Sequence, residues 1–243
     1  MATVKIYAEA GDGQITSTNA VWNTAHDATT GSANAAITSF NVQSRHDGST
    51  YRVSRVFVPF DTTSIPNGAI ITAATLNLYV IATSNTDNDG DDWVNVVQTD
   101  QASTATLDND DINNCGAVDN PTEGATRIDI GNITLNQYNV WTLNSTGLTW
   151  INKNGNTLLG LREGHDAIDS PIGTNLSDRI GFSSTEETGT TQDPYLEITY
   201  ITPQINISDA WKNVEGIQIN IGDAWKAVSS MKTNIGDTWK TIF

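Results

Sequence analysis

Short alternating runs, each closed by a cluster of turn-forming residues, recur through the first 200 residues and confine the chain to strands. The longest is Tyr51-Arg52-Val53-Ser54-Arg55-Val56-Phe57-Val58-Pro59-Phe60. Ala74 to Ile81 follows, with Leu76, Leu78 and Val80 on one face. Trp93 to Gln98, Arg127 to Ile130, Val140 to Leu143, Thr157 to Arg162, Arg179 to Ser183 and Tyr195 to Tyr200 have the same character. Ile65-Pro66-Asn67-Gly68, Asn88-Asp89-Gly90 and Asn154-Gly155-Asn156 are turns. The spacing predicts one or two helical turns over Asn144 to Asn152, where a capping residue precedes Leu148 and Ile151. A hydrophobic content of 37% suits strands that each show one polar face to water. The expected fold class is all-β, a sandwich or barrel.

Near Pro203 the pattern changes. Ile205-Asn206-Ile207-Ser208-Asp209-Ala210-Trp211-Lys212, Ile219-Asn220-Ile221-Gly222-Asp223-Ala224-Trp225-Lys226 and Asn234-Ile235-Gly236-Asp237-Thr238-Trp239-Lys240 place tryptophans at 211, 225 and 239, a strict 14-residue period. Each unit reads as a β-hairpin. This predicts two domains, a sandwich over 1–201 and three hairpin repeats over 202–243. A two-residue turn would set Trp225 opposite Asn220, away from the isoleucine face. A three-residue turn would set it opposite Ile221, on that face. Ile207, Trp211, Ile221, Trp225, Ile235 and Trp239 are the expected oligomerisation or attachment residues. The alternative for the tryptophans is stacking on sugar rings.

The net charge is −16. So acidic a surface repels phosphate and anionic lipid, which argues against nucleic acid and membrane partners. Residues 202–243 hold four Lys and four acids, so the eight basic and 24 acidic residues before them carry all of the −16. Carboxylates in number suit Ca²⁺. The densest group is Asp87-Asn88-Asp89-Gly90-Asp91-Asp92, so Asp87, Asp89, Asp91 and Asp92 are the candidate Ca²⁺ ligands. The segment is EF-hand-like except that Gln98 stands where that loop has Glu. Asp108-Asn109-Asp110-Asp111 and Asp12, between Gly11 and Gly13, are weaker groups of the same kind.

The sequence contains no P-loop, nucleophile elbow, His-Glu-x-x-His or Cys/His metal spacing. His26, His46 and His165 are isolated in sequence and read as loop residues. The single Cys115 reads as an incidental loop or core thiol. The expectation is a chain without catalysis. The first residues alternate like a strand, and no basic segment followed by an apolar run marks an export signal. No window reaches the length of a membrane span.

Residues 1–200 resemble the DNRLRE-domain proteins, jelly-roll modules similar to carbohydrate-binding modules. The likeness rests on Ser54 to Asp61, Ile65 to Ala69, Ala73 to Tyr79, Trp141 to Leu143, Trp150-Ile151, Asn154 to Thr157, Phe182 to Glu186 and Asp193 to Tyr200. The name-giving hexapeptide does not occur. The resemblance implies a jelly-roll β-sandwich used as a scaffold, not a defined sugar site. The Trp-Lys tail is similar to terminal repeats of tailed-phage structural proteins. Together these imply a virion surface protein, a capsid decoration or tail-fibre adhesin. It would be made in the host cytoplasm and work as a homo-oligomer, a trimer by expectation, with other virion proteins and a host surface glycan as partners. The alternative is a sugar-binding module of a bacterial cell-surface or secreted system.

Overall fold

A computed structural model describes residues 1–207 and the later segments 210–213, 218–221, 224–227, 232–235 and 238–241. Twelve antiparallel strands form one curled sheet. They are β1 (Ala2–Tyr7), β2 (Gly13–Asn19), β3 (Ser32–Asn34), β4 (Ser39–His46), β5 (Tyr51–Asp61), β6 (Ile70–Asn85), β7 (Trp93–Gln98), β8 (Ile128–Asp129), β9 (Gln137–Thr142), β10 (Asn156–Glu163), β11 (Ser177–Ser183) and β12 (Tyr195–Ile201). The main path runs β1-β12-β6-β11-β4-β5-β10-β7-β8, with β9 on β6 and with β2 joining β3 to β5. The all-β, sandwich-like fold expected from the sequence is the observed fold.

Two long strands make the curl. Along one edge of β5, Tyr51 to Ser54 pair with β4, and Val56 to Asp61 pair with β10. The other edge of β5 carries β2. The strand β6, 16 residues long, serves β12 with its first half and β11 with its second, and carries β9 opposite. The sheet thereby folds over on itself. Phe40 and Val42 of β4, Leu76 and Leu78 of β6 and Phe182 of β11 meet Val56 and Val58 of β5, Val94 and Val96 of β7 and Leu159 and Leu161 of β10 in one core. Trp141 of β9, fully buried, crosses that core and donates its indole N–H to the Val94 carbonyl at 3.3 Å.

Because β5 is covered on both sides, it is buried continuously from Val53 to Phe60 although its sequence alternates. Val56, Val58 and Phe60 enter the main core, whereas Val53 and Phe57 enter two smaller clusters around Trp22 and Ile112. Arg55 lies between those two, on the same side, and is buried.

Short helices close the ends: α1 (Trp22–His26), α2 (Ser145–Thr149) and α3 (Gly164–Ile168). The helix α2 is the one expected, capped by the Asn144 side chain, which accepts from the N–H groups of Thr146 and Gly147. The histidines depart from expectation. His26 and His165 are fully buried within α1 and α3, and His46 is buried in β4. Loop composition around them hid this, because each helix is only five residues long.

Beyond Ile201, six strands form three separate two-stranded sheets: β13 (Gln204–Ile207) with β14 (Ala210–Asn213), β15 (Gln218–Ile221) with β16 (Ala224–Ala227), and β17 (Lys232–Ile235) with β18 (Thr238–Thr241). The register repeats from unit to unit, pairing Asn206 with Trp211, Asn220 with Trp225 and Asn234 with Trp239. This is the register of the two-residue connection. The connecting residues and the side-chain contacts of Ile207, Trp211, Ile221, Trp225, Ile235 and Trp239 lie outside the described residues.

Candidate functional site

The sandwich holds two ionic centres at neighbouring places around α3. The first is a closed node. Arg55 donates to both carboxylate oxygens of Asp166, with Nη2 to Oδ1 at 2.8 Å, and also to the carbonyls of Ile112 and His26. Arg162 of β10 pairs with the same carboxylate and donates to the carbonyls of Cys115, Ala117 and Val118. His26 Nε2 lies 2.8 Å from the Asp166 carbonyl and Nδ1 lies 2.6 Å from Asp27. Burial pushes the Asp166 carboxyl upward, but Arg162 and Arg55 outweigh it and hold it below the usual range. Each donor nitrogen has a partner, so the node ties four segments together.

Cys115 sits beside this node, fully buried, its thiol 3.7 Å from the Val56 carbonyl. Burial pushes it up to about 12, so it is a core thiol and not a nucleophile at neutral pH.

The second centre is open on one side. The strand β10 ends in Glu163, α3 begins at Gly164, and His165 follows. Imidazole Nδ1 lies 3.0 Å from Glu163 Oε1 and 3.7 Å from Oδ2 of Asp178 on β11. Nε2 faces the loop after β6, 3.5 Å from Asp87 Oδ2 and 3.5 Å from Asp89 Oδ2. The His165, Glu163 and Asp178 side chains are fully buried, whereas Asp89 is 44% exposed. Asp178 positions the loop, its Oδ1 accepting from the N–H groups of Thr86 and Asp87. Gly164 lets the loop close, because a Cβ there would overlap the Asp91 carbonyl oxygen.

Electrostatically the centre is one imidazole among four carboxylates. Burial pulls His165 down, but the hydrogen bond and charge of Glu163, with Asp89 and Asp178, prevail and raise it to about 9. Burial pushes Glu163 up to about 7 against the pull of His165, and it pushes Asp178 up as well. Three buried atoms here, Glu163 Oε2, His165 Nε2 and Asp178 Oδ2, have no hydrogen-bond partner.

Of the four aspartates expected to gather around Ca²⁺, the structure brings Asp87 and Asp89 together and parts them from Asp92. Asp92 accepts from the Asn85 amide at 2.5 Å and from the Gly90 N–H at 3.0 Å, holding the loop's own shape. The Asp91 N–H donates to Asp89 Oδ1, a local turn bond. His165, Glu163 and Asp178 were not legible as partners, since 76 or more residues separate them from Asp87. The spacing of Glu163 and His165 by two was the available signal. The Asp108 group caps a short 3₁₀ turn through reciprocal Asp108 and Asp111 bonds. Asp12 is buried and accepts from Thr185.

No protein-family model and no curated protein matches this chain.

Proposed function

We propose that this chain is a non-catalytic phage virion surface protein, a capsid decoration or a fibre-type adhesin. In this reading the sandwich faces outward and residues 202–243 drive oligomerisation or attachment to other virion proteins through Ile207, Trp211, Ile221, Trp225, Ile235 and Trp239. The observation that carries it is the repeat of one register across three hairpins. A lone two-stranded hairpin is marginal in water. Three equivalent ones offer equivalent surfaces to copies of the chain, as symmetric assembly requires. The DNRLRE-like scaffold supports the outward role of the sandwich, as does an acidic body that resists nonspecific association. Analytical ultracentrifugation of the full chain should show a stable oligomer. Deleting residues 202–243 should leave a folded monomer. A full chain that is monomeric, or an oligomer that survives the deletion, removes the proposal.

A second reading, a carbohydrate-binding module, is favoured by one face of the sandwich. Tyr7, Tyr195, Tyr138 and Tyr79, all half-buried, succeed one another at centroid separations of 6.1, 4.9 and 5.4 Å. Lys5 Nζ lies 3.7 Å from the Tyr195 ring centroid. Such rings offer apolar surface to a sugar, and hydroxyls at its rim. Glycan-array binding that Tyr7→Ala and Tyr195→Ala abolish would support this reading. Absence of binding by the parent chain would remove it.

A further inference from the structure

We propose that Asp87, Asp89 and His165 form a binding site for one divalent transition-metal ion of the Zn²⁺ class, with Glu163 orienting the imidazole. The inference is independent of the virion reading.

The first support is geometric. His165 Nε2 is 3.5 Å from each of the two aspartate oxygens. A tetrahedral ion with bonds of about 2.1 Å sets its ligand atoms about 3.4 Å apart. The three donor atoms all lie within 4.8 Å of one another, so one ion can reach each of them. The second support is the orphaned nitrogen. Nε2 belongs to a fully buried side chain, points at the two carboxylates and has no hydrogen-bond partner. A buried polar atom normally has a partner, and a metal ion would satisfy this one. The third is the other side of the ring. Nδ1 faces Glu163 Oε1 at 3.0 Å, the carboxylate–histidine arrangement that fixes the tautomer for metal binding through Nε2.

The donor set chooses the ion. Ca²⁺ takes six to eight oxygens, and here an imidazole nitrogen stands at the centre with two carboxylates. One nitrogen and two carboxylate oxygens suit Zn²⁺ and neighbouring first-row ions. The exposure of Asp89 leaves one side for water as a fourth ligand. Asp178 acts on the loop, since its Oδ1 holds the backbone that aims Asp87.

The test uses the untagged full-length chain, stripped with chelator and titrated calorimetrically with Zn²⁺, Mn²⁺ or Ca²⁺ alone. One equivalent of Zn²⁺ should bind, in preference to Ca²⁺, and raise the melting temperature. Co²⁺ should bind at the same stoichiometry and give the visible absorption of a four-coordinate ion. Asp89→Asn, at a half-exposed position, should keep the fold and weaken Zn²⁺ binding by tenfold or more. Glu163→Gln should weaken it about 10- to 100-fold. Absence of a bound equivalent in the parent chain overturns the site, as does Zn²⁺ affinity unchanged by Asp89→Asn. Preference for Ca²⁺ overturns the assignment of the ion. Should Glu163→Gln unfold the chain, Asp89→Asn still decides.

Discussion

At the residue scale, the most consequential group is Asp166. Its carboxylate answers two guanidiniums, Arg55 and Arg162, both with almost no exposure. Removing one partner of a buried ion pair is far more costly than never having built it, because the remaining charge is stranded. Asp166→Ala should therefore destabilise the sandwich by about 3–5 kcal/mol, read as a lowered denaturant midpoint. A loss under 1 kcal/mol would show that the guanidiniums find other acceptors. Asp12 makes a pH prediction. Burial pushes it from 3.8 to about 7 despite two hydrogen bonds from Thr185. The folded chain thus holds a proton there that the unfolded chain releases near pH 4. The contribution of Asp12 to stability is present below about pH 4, falls as pH rises, and levels off above about pH 7. The loss is up to about 4 kcal/mol, at 1.36 per pH unit. Asp12→Asn should flatten this part of the stability curve between those limits. A parallel pair of curves, parent and variant, would refute it. Neither environment is visible in the sequence: Asp12 beside glycines looks like a turn, and Arg55 in an alternating strand looks like a solvent-facing charge.

At the element scale, the connection between β10 and α3 places Glu163 and His165 beneath the loop of Asp87 and Asp89. Gly164 is what permits that approach, since a Cβ would overlap the Asp91 carbonyl. Gly164→Ala should cost about 1–3 kcal/mol through a forced backbone shift and should speed amide exchange at Thr86 to Asp92. Gly90→Ala is the control, because a Cβ at Gly90 meets nothing within 4 Å and only its positive φ of 103° opposes the change. Equal effects in the two variants would count against a packing role for Gly164. Most core strands were readable from periodicity, including β7, β10 and β12 to within a residue or two. The strand β6 proved longer than its apolar run, because its end, Thr83 to Asn85, pairs with β11 through polar residues. The strands β2 and β4 escaped notice for a related reason. Gln14, Thr16, Gln43, Ser44 and His46 bring polar atoms to buried or half-buried positions, where Ser54 and other strand residues satisfy several of them.

At the scale of the molecule, charge is the controlling quantity. Residues 1–201 carry all of the −16. Of their eight basic groups, Arg55 and Arg162 are buried, Arg127 pairs with Glu123, and Lys5 lies over tyrosine rings. Arg45 stands directly opposite Arg52, so even the cations partly repel one another. The body is therefore under net self-repulsion, which salt screens over a Debye length of about 8 Å at 0.15 M. The melting temperature at pH 7 should rise with sodium chloride between roughly 0.01 and 0.15 M, by about 2–4 °C for each kcal/mol of repulsion relieved. A flat or falling dependence would show that the carboxylates are neutralised in pairs.

What the sequence determined by itself is what local chemistry encodes. Apolar alternation marked most strands, Asn144 capped α2, and the 14-residue period marked three hairpins, because each depends on residues a few positions apart. What only the tertiary structure decided is which distant groups meet. The aspartates of one loop, the start of α3 and Asp178 of β11 converge on His165 because β10 ends and β11 begins at the same side of a curled sheet. Burial there gives an isolated histidine a charge environment and an unpartnered nitrogen, and neither property exists until the sheet has closed.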